Sequence, residues 1–176
     1  YLGRVLSNFA IALYQTGDAA GAEPVFRRAL AIQERALGPD HPGVGTVLAN
    51  LGAVLTALGG LEEAEAVLRR ALAIQDQAFG AEHPNTAQAV ANLADLQAER
   101  REMKVAEAGY QRAIGIYERT LGPDHPAIER ILGNLATALL AQGKTAEALP
   151  LVRRALDLAK AMGIYERTLA AAERIG

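Results

Sequence analysis

The chain has 176 residues, about half of them hydrophobic, with a formal net charge of −2 and no cysteine. That length allows one or two domains with a sizeable core. The balanced charge and a pI near 6.0 lack the basic face that nucleic acid requires, and the missing cysteines exclude a disulfide framework, a thiolate metal site and a cysteine nucleophile.

The first residue, Tyr1, already lies in a helical pattern of Leu2, Val5, Leu6 and Phe9, which reads as a piece cut from a longer protein. Alanine and leucine dominate, with three Phe, five Tyr and no Trp, a composition suited to closely packed helices rather than sheets. No apolar run approaches the roughly 20 residues that span a bilayer, and no signal-peptide pattern opens the chain. Neither membrane nor nucleic acid is therefore expected as a partner, and a cytoplasmic setting fits.

Self-similarity settles the architecture. Gly-Pro-Asp-His-Pro stands at 38–42 and 122–126, with Gly-Ala-Glu-His-Pro at 80–84, a period of 42 residues. Asn8, Asn50, Asn92 and Asn134 keep the same phase, as do Arg28, Arg70, Arg112 and Arg154. The period divides the chain into repeats of about 1–40, 41–82, 83–124 and 125–162, followed by residues 163–176.

Each repeat predicts two amphipathic helices, A and B. In the second repeat Val44, Leu48, Leu51 and Leu55 form one stripe, and Leu61, Ala64, Leu68, Ala71 and Leu72 form the next. These are helical intervals. Gly17, Gly59 and Gly143 mark the turn between A and B, where positive φ ends a helix; the third repeat has Arg101 there. The glycine of Gly-x-x-His-Pro stops helix B, and its proline starts the next helix A. Ala10, Gly52, Ala94 and Ala136 in the A helices, with Ala22, Ala64, Ala106 and Ala148 in the B helices, let neighbouring backbones approach closely. One helix pair cannot bury both faces, whereas stacked pairs share a continuous core. The expected fold is all-α: a right-handed solenoid of four antiparallel helix-turn-helix repeats plus a C-terminal helix.

The C-terminal end leaves the phase. Gly-Ile-Tyr-Glu-Arg-Thr-Leu at 163–169 copies residues 115–121 six residues out of register. The segment either extends the last B helix through Gly163 or folds back as a cap. Its stripe of Tyr165, Leu169, Ala172 and Ile175 leaves homo-oligomerisation through this helix open.

The spacing Leu48-x-x-Leu51-Gly52-x-x-Leu55, then Ala64-x-x-x-Leu68-x-x-Ala71, resembles the tetratricopeptide repeat, and Leu6, Phe9, Ala10, Leu13, Ala22, Phe26 and Ala29 match in the first repeat. Ordinary repeats of this family have 34 residues. The longer period, with Asn-Leu-Ala/Gly, Arg-Ala-Leu-x-Ile and Leu-Gly-Pro-Asp-His-Pro, is similar to the kinesin-light-chain-like subclass, which is also widespread in bacterial proteins and points to a bacterial source. The resemblance covers roughly residues 4–162. It implies a protein-interaction scaffold that binds an extended peptide or partner protein in its concave groove, without enzymatic activity and without a cofactor. A structural self-association module, or the regulatory arm of a larger signalling or enzymatic protein, remains the alternative.

In that family the position of Asn8, Asn50, Asn92 and Asn134 faces the groove, where an amide can both donate to and accept from peptide main chain. Equally, each Asn could tie consecutive repeats together. Residues four back or three forward share its helix face. Arg4, Gln88, Asp95 and Arg130 thus complete the candidate peptide-binding set, with the two arginines suited to ligand carboxylates. His41, His83 and His125 occupy equivalent turns too far apart to converge on one metal, so caps or inter-repeat contacts are expected and no metal site. The B-helix arginines read as a solvated outer face. No phosphate-cradling glycine loop is present, and Ser7 is the only serine, so no catalytic residue is assigned.

Overall fold

In a computed structural model the chain is described over residues 1–173, with side chains as far as Ala161. Eight helices follow one another among the described residues: α1 (Leu2–Gln15), α2 (Ala19–Leu37), α3 (Pro42–Ala57), α4 (Leu61–Phe79), α5 (Pro84–Glu99), α6 (Met103–Leu121), α7 (Pro126–Ala141) and α8 (Thr145–Glu173). They form an all-α repeat solenoid. Odd-numbered helices are the A helices and even-numbered ones the B helices.

The local chemistry of the turns produces this punctuation. Gly38, Gly80 and Gly122 end the B helices at φ near +90°, a conformation that costs glycine little because it lacks Cβ. Each following histidine is an N-cap: Nδ1 of His41, His83 and His125 accepts from the backbone N–H of Gly43, Asn85 and Ala127 at 3.0, 3.1 and 3.2 Å. Proline then occupies the first helical position, where no N–H is needed. The three imidazoles therefore cap their own helices. Between A and B helices, Gly17, Gly59 and Gly143 take positive φ. Arg101 adopts the same left-handed turn at φ 64° in spite of its side chain.

The A helices form the tight inner layer. Each of α3, α5 and α7 packs against its own B helix, the preceding B helix and the preceding A helix, whereas successive B helices do not approach one another as closely. The small-residue positions permit the close packing: a Cβ on Gly52 would lie 2.4 Å from Leu68 Cγ. The core runs through the stack in overlapping clusters, with Phe26, Leu51, Leu68 and Val47 in one and Tyr110, Ile116, Ile131 and Leu135 in another.

Long side chains bridge the gap between B helices. Arg70 pairs with Glu34 at 2.7 Å and donates to the Pro39 carbonyl; Arg154 repeats this with Glu118 at 2.6 Å and the Pro123 carbonyl. This corrects the reading of the arginine row as a merely solvated face, because two of its members tie one repeat to the next. Beyond residue 162, α8 continues as one helix through Gly163 to Glu173. The stripe formed by Tyr165, Leu169, Ala172 and Ile175 lies outside the described side chains.

Candidate functional site

The inner face carries two clefts, and they differ in how their polar groups are engaged. The first, about 600 Å³, lies at the N-terminal end and is lined by Arg4, Asn8, Ile11, Thr46 and Asn50 together with the end of α2. Asn8 is exposed and Asn50 half-buried. Among the described residues neither amide has a side-chain hydrogen-bond partner. The Arg4 guanidinium stands 5.9 Å from the Tyr1 ring centroid, with no carboxylate paired to it among the described residues.

Further along the stack the equivalent groups are engaged internally. Asn92 is buried, 3% exposed, and its Nδ2 donates to the Ala49 carbonyl of α3 at 2.8 Å. Its Oδ1 accepts from Gln88 Nε2 at 2.8 Å, and Gln88 Oε1 accepts from the Tyr117 hydroxyl at 3.3 Å. A buried amide needs both its donor and its acceptor matched, and this chain from α6 through α5 to α3 does so. Asn92 thus ties consecutive repeats and, with Gln88, is absent from the lining of either cleft.

The second cleft, about 470 Å³, is centred on Asp95. Asp95 Oδ1 accepts from the Tyr110 hydroxyl and from Asn134 Nδ2, each at 2.8 Å, while Oδ2 accepts from Arg130 at 2.8 Å. Three helices, α5, α6 and α7, converge on one carboxylate. Charge-assisted bonds of this kind are roughly twice as strong as neutral ones. Burial, then the Asp95 charge, then the hydrogen bond to it raise the Tyr110 phenol above its ordinary pKa of 10.0. Tyr14, from α1, faces the same cleft; its phenol is raised first by burial and then by Asp95, with Arg130 opposing.

The candidate set thus divides in three. Arg4, Asn8 and Asn50 share an unengaged cleft; Gln88 and Asn92 form an internal chain; Asp95, Arg130 and Asn134 form an ion-centred network. Tyr14, Tyr110 and Arg101 also line the second cleft, and the sequence reading did not include them. A signal for Tyr110 existed. It takes a core place held by Phe26 and Leu68 in earlier repeats, so its hydroxyl needed a partner, and Asp95 is the one acid in the row Ile11, Ala53, Asp95, Thr137.

A family model described as Tetratricopeptide repeat matches residues 1–77, 47–118 and 91–161. The chain belongs to the tetratricopeptide repeat family. The solved structures similar to it include kinesin-light-chain-like repeat proteins. BtubC (BKLC) from P. vanneervenii superposes with a TM-score of 0.73 at 23% identity, over 92% of this chain and 65% of that one. The chain therefore spans about two-thirds of the length of BtubC. A Podospora anserina putative kinesin light chain with nearly identical TPR-like repeats gives 0.72 at 24% identity, over 90% of this chain and 76% of that one. A single-substitution variant of that Podospora protein gives 0.71 at 25%, over 88% and 73%. No curated protein matches. Tetratricopeptide repeats generally act as protein–protein interaction scaffolds and are typically not enzymes. Among the described residues no helix is long and apolar enough to cross a membrane.

Proposed function

We propose that this tetratricopeptide domain binds an extended peptide along its inner face, with main-chain recognition concentrated in the N-terminal cleft. One observation carries the reading: Asn8 and Asn50 line a cleft of about 600 Å³ with their amides unengaged, whereas Asn92 has both polar groups matched inside the protein. An Asn side chain offers one acceptor and two donors, which fits the alternating groups of an extended backbone. Arg4 in the same cleft can take a ligand carboxylate in a bidentate pair. Asp95 and Arg130 neutralise each other in the second cleft, so that region contributes shape and the Tyr14 ring more than net charge.

The test uses extended peptides selected from a random library on the intact chain. Asn8→Ala with Asn50→Ala is expected to weaken binding at least about tenfold, from two lost hydrogen bonds at roughly 1 kcal/mol each, with the melting temperature unchanged. Asn92→Ala should instead lower the melting temperature. Unchanged affinity in the folded Asn8/Asn50 double variant would remove the N-terminal cleft from the binding site.

A further inference from the structure

The inner face sets an acid beside a guanidinium where Asp95 of α5 meets Arg130 of α7 at 2.8 Å. Elsewhere the row that holds Asp95 reads Ile11, Ala53 and Thr137, and the row that holds Arg130 reads Arg4, Thr46 and Gln88. Both members of the pair line the second cleft. Tyr110, only 2% exposed, and Asn134 each donate to Asp95 Oδ1 at 2.8 Å. The carboxylate is thereby held in one orientation by helices inside the stack.

What this arrangement leaves open has a definite chemistry. A carboxylate offers about four lone-pair sites, and Asp95 uses two on Oδ1 and one on Oδ2. An acceptor site therefore remains on Oδ2. Arg130 bonds through one Nη alone among the described residues, so its other N–H donors remain unused. An open acceptor and open donors thus lie side by side on an ion pair that is itself neutral. The other charged residues lining the cleft, Glu99 and Arg101, are one of each sign. The Tyr14 ring lines it too. Its phenol is raised first by burial and then by Asp95, with Arg130 opposing, which sets the ring beside the pair.

We propose that the second cleft is a subsite for a carboxamide side chain, Gln or Asn, of the bound peptide, with Asp95 and Arg130 as its specificity-determining pair. This rests on the binding of an extended peptide along the inner face. The amide NH2 donates to the open site on Asp95 Oδ2, the amide oxygen accepts from Arg130, and the methylene stem lies against the Tyr14 ring. The same pair rejects other chemistries. A ligand carboxylate brings no donor and sets a second negative charge against Asp95. An ammonium brings no acceptor and sets a second positive charge against Arg130. An apolar side chain desolvates both ions without replacing their hydrogen bonds to water.

The test selects short random peptides on three proteins, wild type, Asp95→Asn and Arg130→Gln, each checked for folding by circular dichroism. Wild type should enrich Gln or Asn at one peptide position. Asp95→Asn leaves Arg130 uncompensated and should move that position to Asp or Glu. Arg130→Gln keeps Tyr110 and Asn134 on Asp95, leaves its charge uncompensated, and should move the position to Lys or Arg. Either variant decides the point alone, so failure of one to fold leaves the test intact. In a synthetic copy of a peptide selected by wild type, carboxylate in place of carboxamide should weaken binding about tenfold, one hydrogen bond being lost to a like charge. Asp95→Asn should reverse that order. An apolar residue enriched at the position, or the same residue on all three proteins, would overturn the carboxamide subsite. Selected peptides that weaken with Asn8→Ala and Asn50→Ala, yet show no such position, would overturn it and leave the peptide-binding reading standing. No enrichment on any of the three proteins would overturn both.

Discussion

Tyr110→Phe removes one oxygen from the centre of the third repeat and leaves everything else in place. Phe26 fills the equivalent site in the first repeat and is fully buried, so the ring shape is already accepted by this packing. The hydroxyl donates to Asp95 at 2.8 Å from a residue only 2% exposed. A hydrogen bond to a charged group contributes about 1.5–3 kcal/mol. Asp95 retains Asn134 and Arg130, so its carboxylate is not stranded, and the expected loss is about 2 kcal/mol. The assay is urea unfolding followed by circular dichroism, with the midpoint falling at unchanged slope. In an Asp95→Ala background the same substitution should cost less than about 0.5 kcal/mol, because its partner is gone. The pH profile has a definite sign. The folded-state pKa of the phenol is raised above 10.0, so its contribution is complete below that pH and is lost as pH rises above it. Tyr110→Phe removes that alkaline component. An equal cost in both backgrounds, or no cost at all, would refute the assignment of Asp95 as the centre that joins α5, α6 and α7.

Two further perturbations probe the turns and the outer bridges. Arg101→Gly relieves a left-handed backbone costing about 1–2 kcal/mol for a residue with Cβ, offset by about 0.5–1 kcal/mol of unfolded-chain entropy. A net gain of about 0.5 kcal/mol is expected, visible as a raised melting temperature, whereas Gly143→Ala at the matching turn should lower it. Glu107 accepts from Lys144 and Gln142, and these bonds hold its carboxyl below the usual 4.5. Its contribution is therefore present above pH 4.5 and is lost as pH falls through the lower folded value. Lys144→Met should make stability fall less steeply on acidification below pH 4.5, and an unchanged acid limb in urea titrations would show the pair to be inert.

The sequence by itself determined the architecture, because its signals are local and repeated. The glycine turns at 17, 59, 80 and 122, for example, each need only their own backbone conformation, and His-Pro needs only its own helix to become a cap and first turn. The 42-residue phase then aligns these local decisions, and apolar spacing within each period names the buried faces. The tertiary structure alone decided which polar groups remain available. Asn8, Asn50, Asn92 and Asn134 are the same residue in the same phase, yet Asn92 meets Ala49 and Gln88, and Asn134 meets Asp95, while Asn8 and Asn50 have no such partner among the described residues. Their difference lies in what other helices bring within about 3 Å, a distance that helical periodicity along one chain does not encode. The arginine row divides for the same reason: Arg70 and Arg154 have an acid on the preceding B helix, and Arg28 has no preceding repeat among the described residues from which one could come.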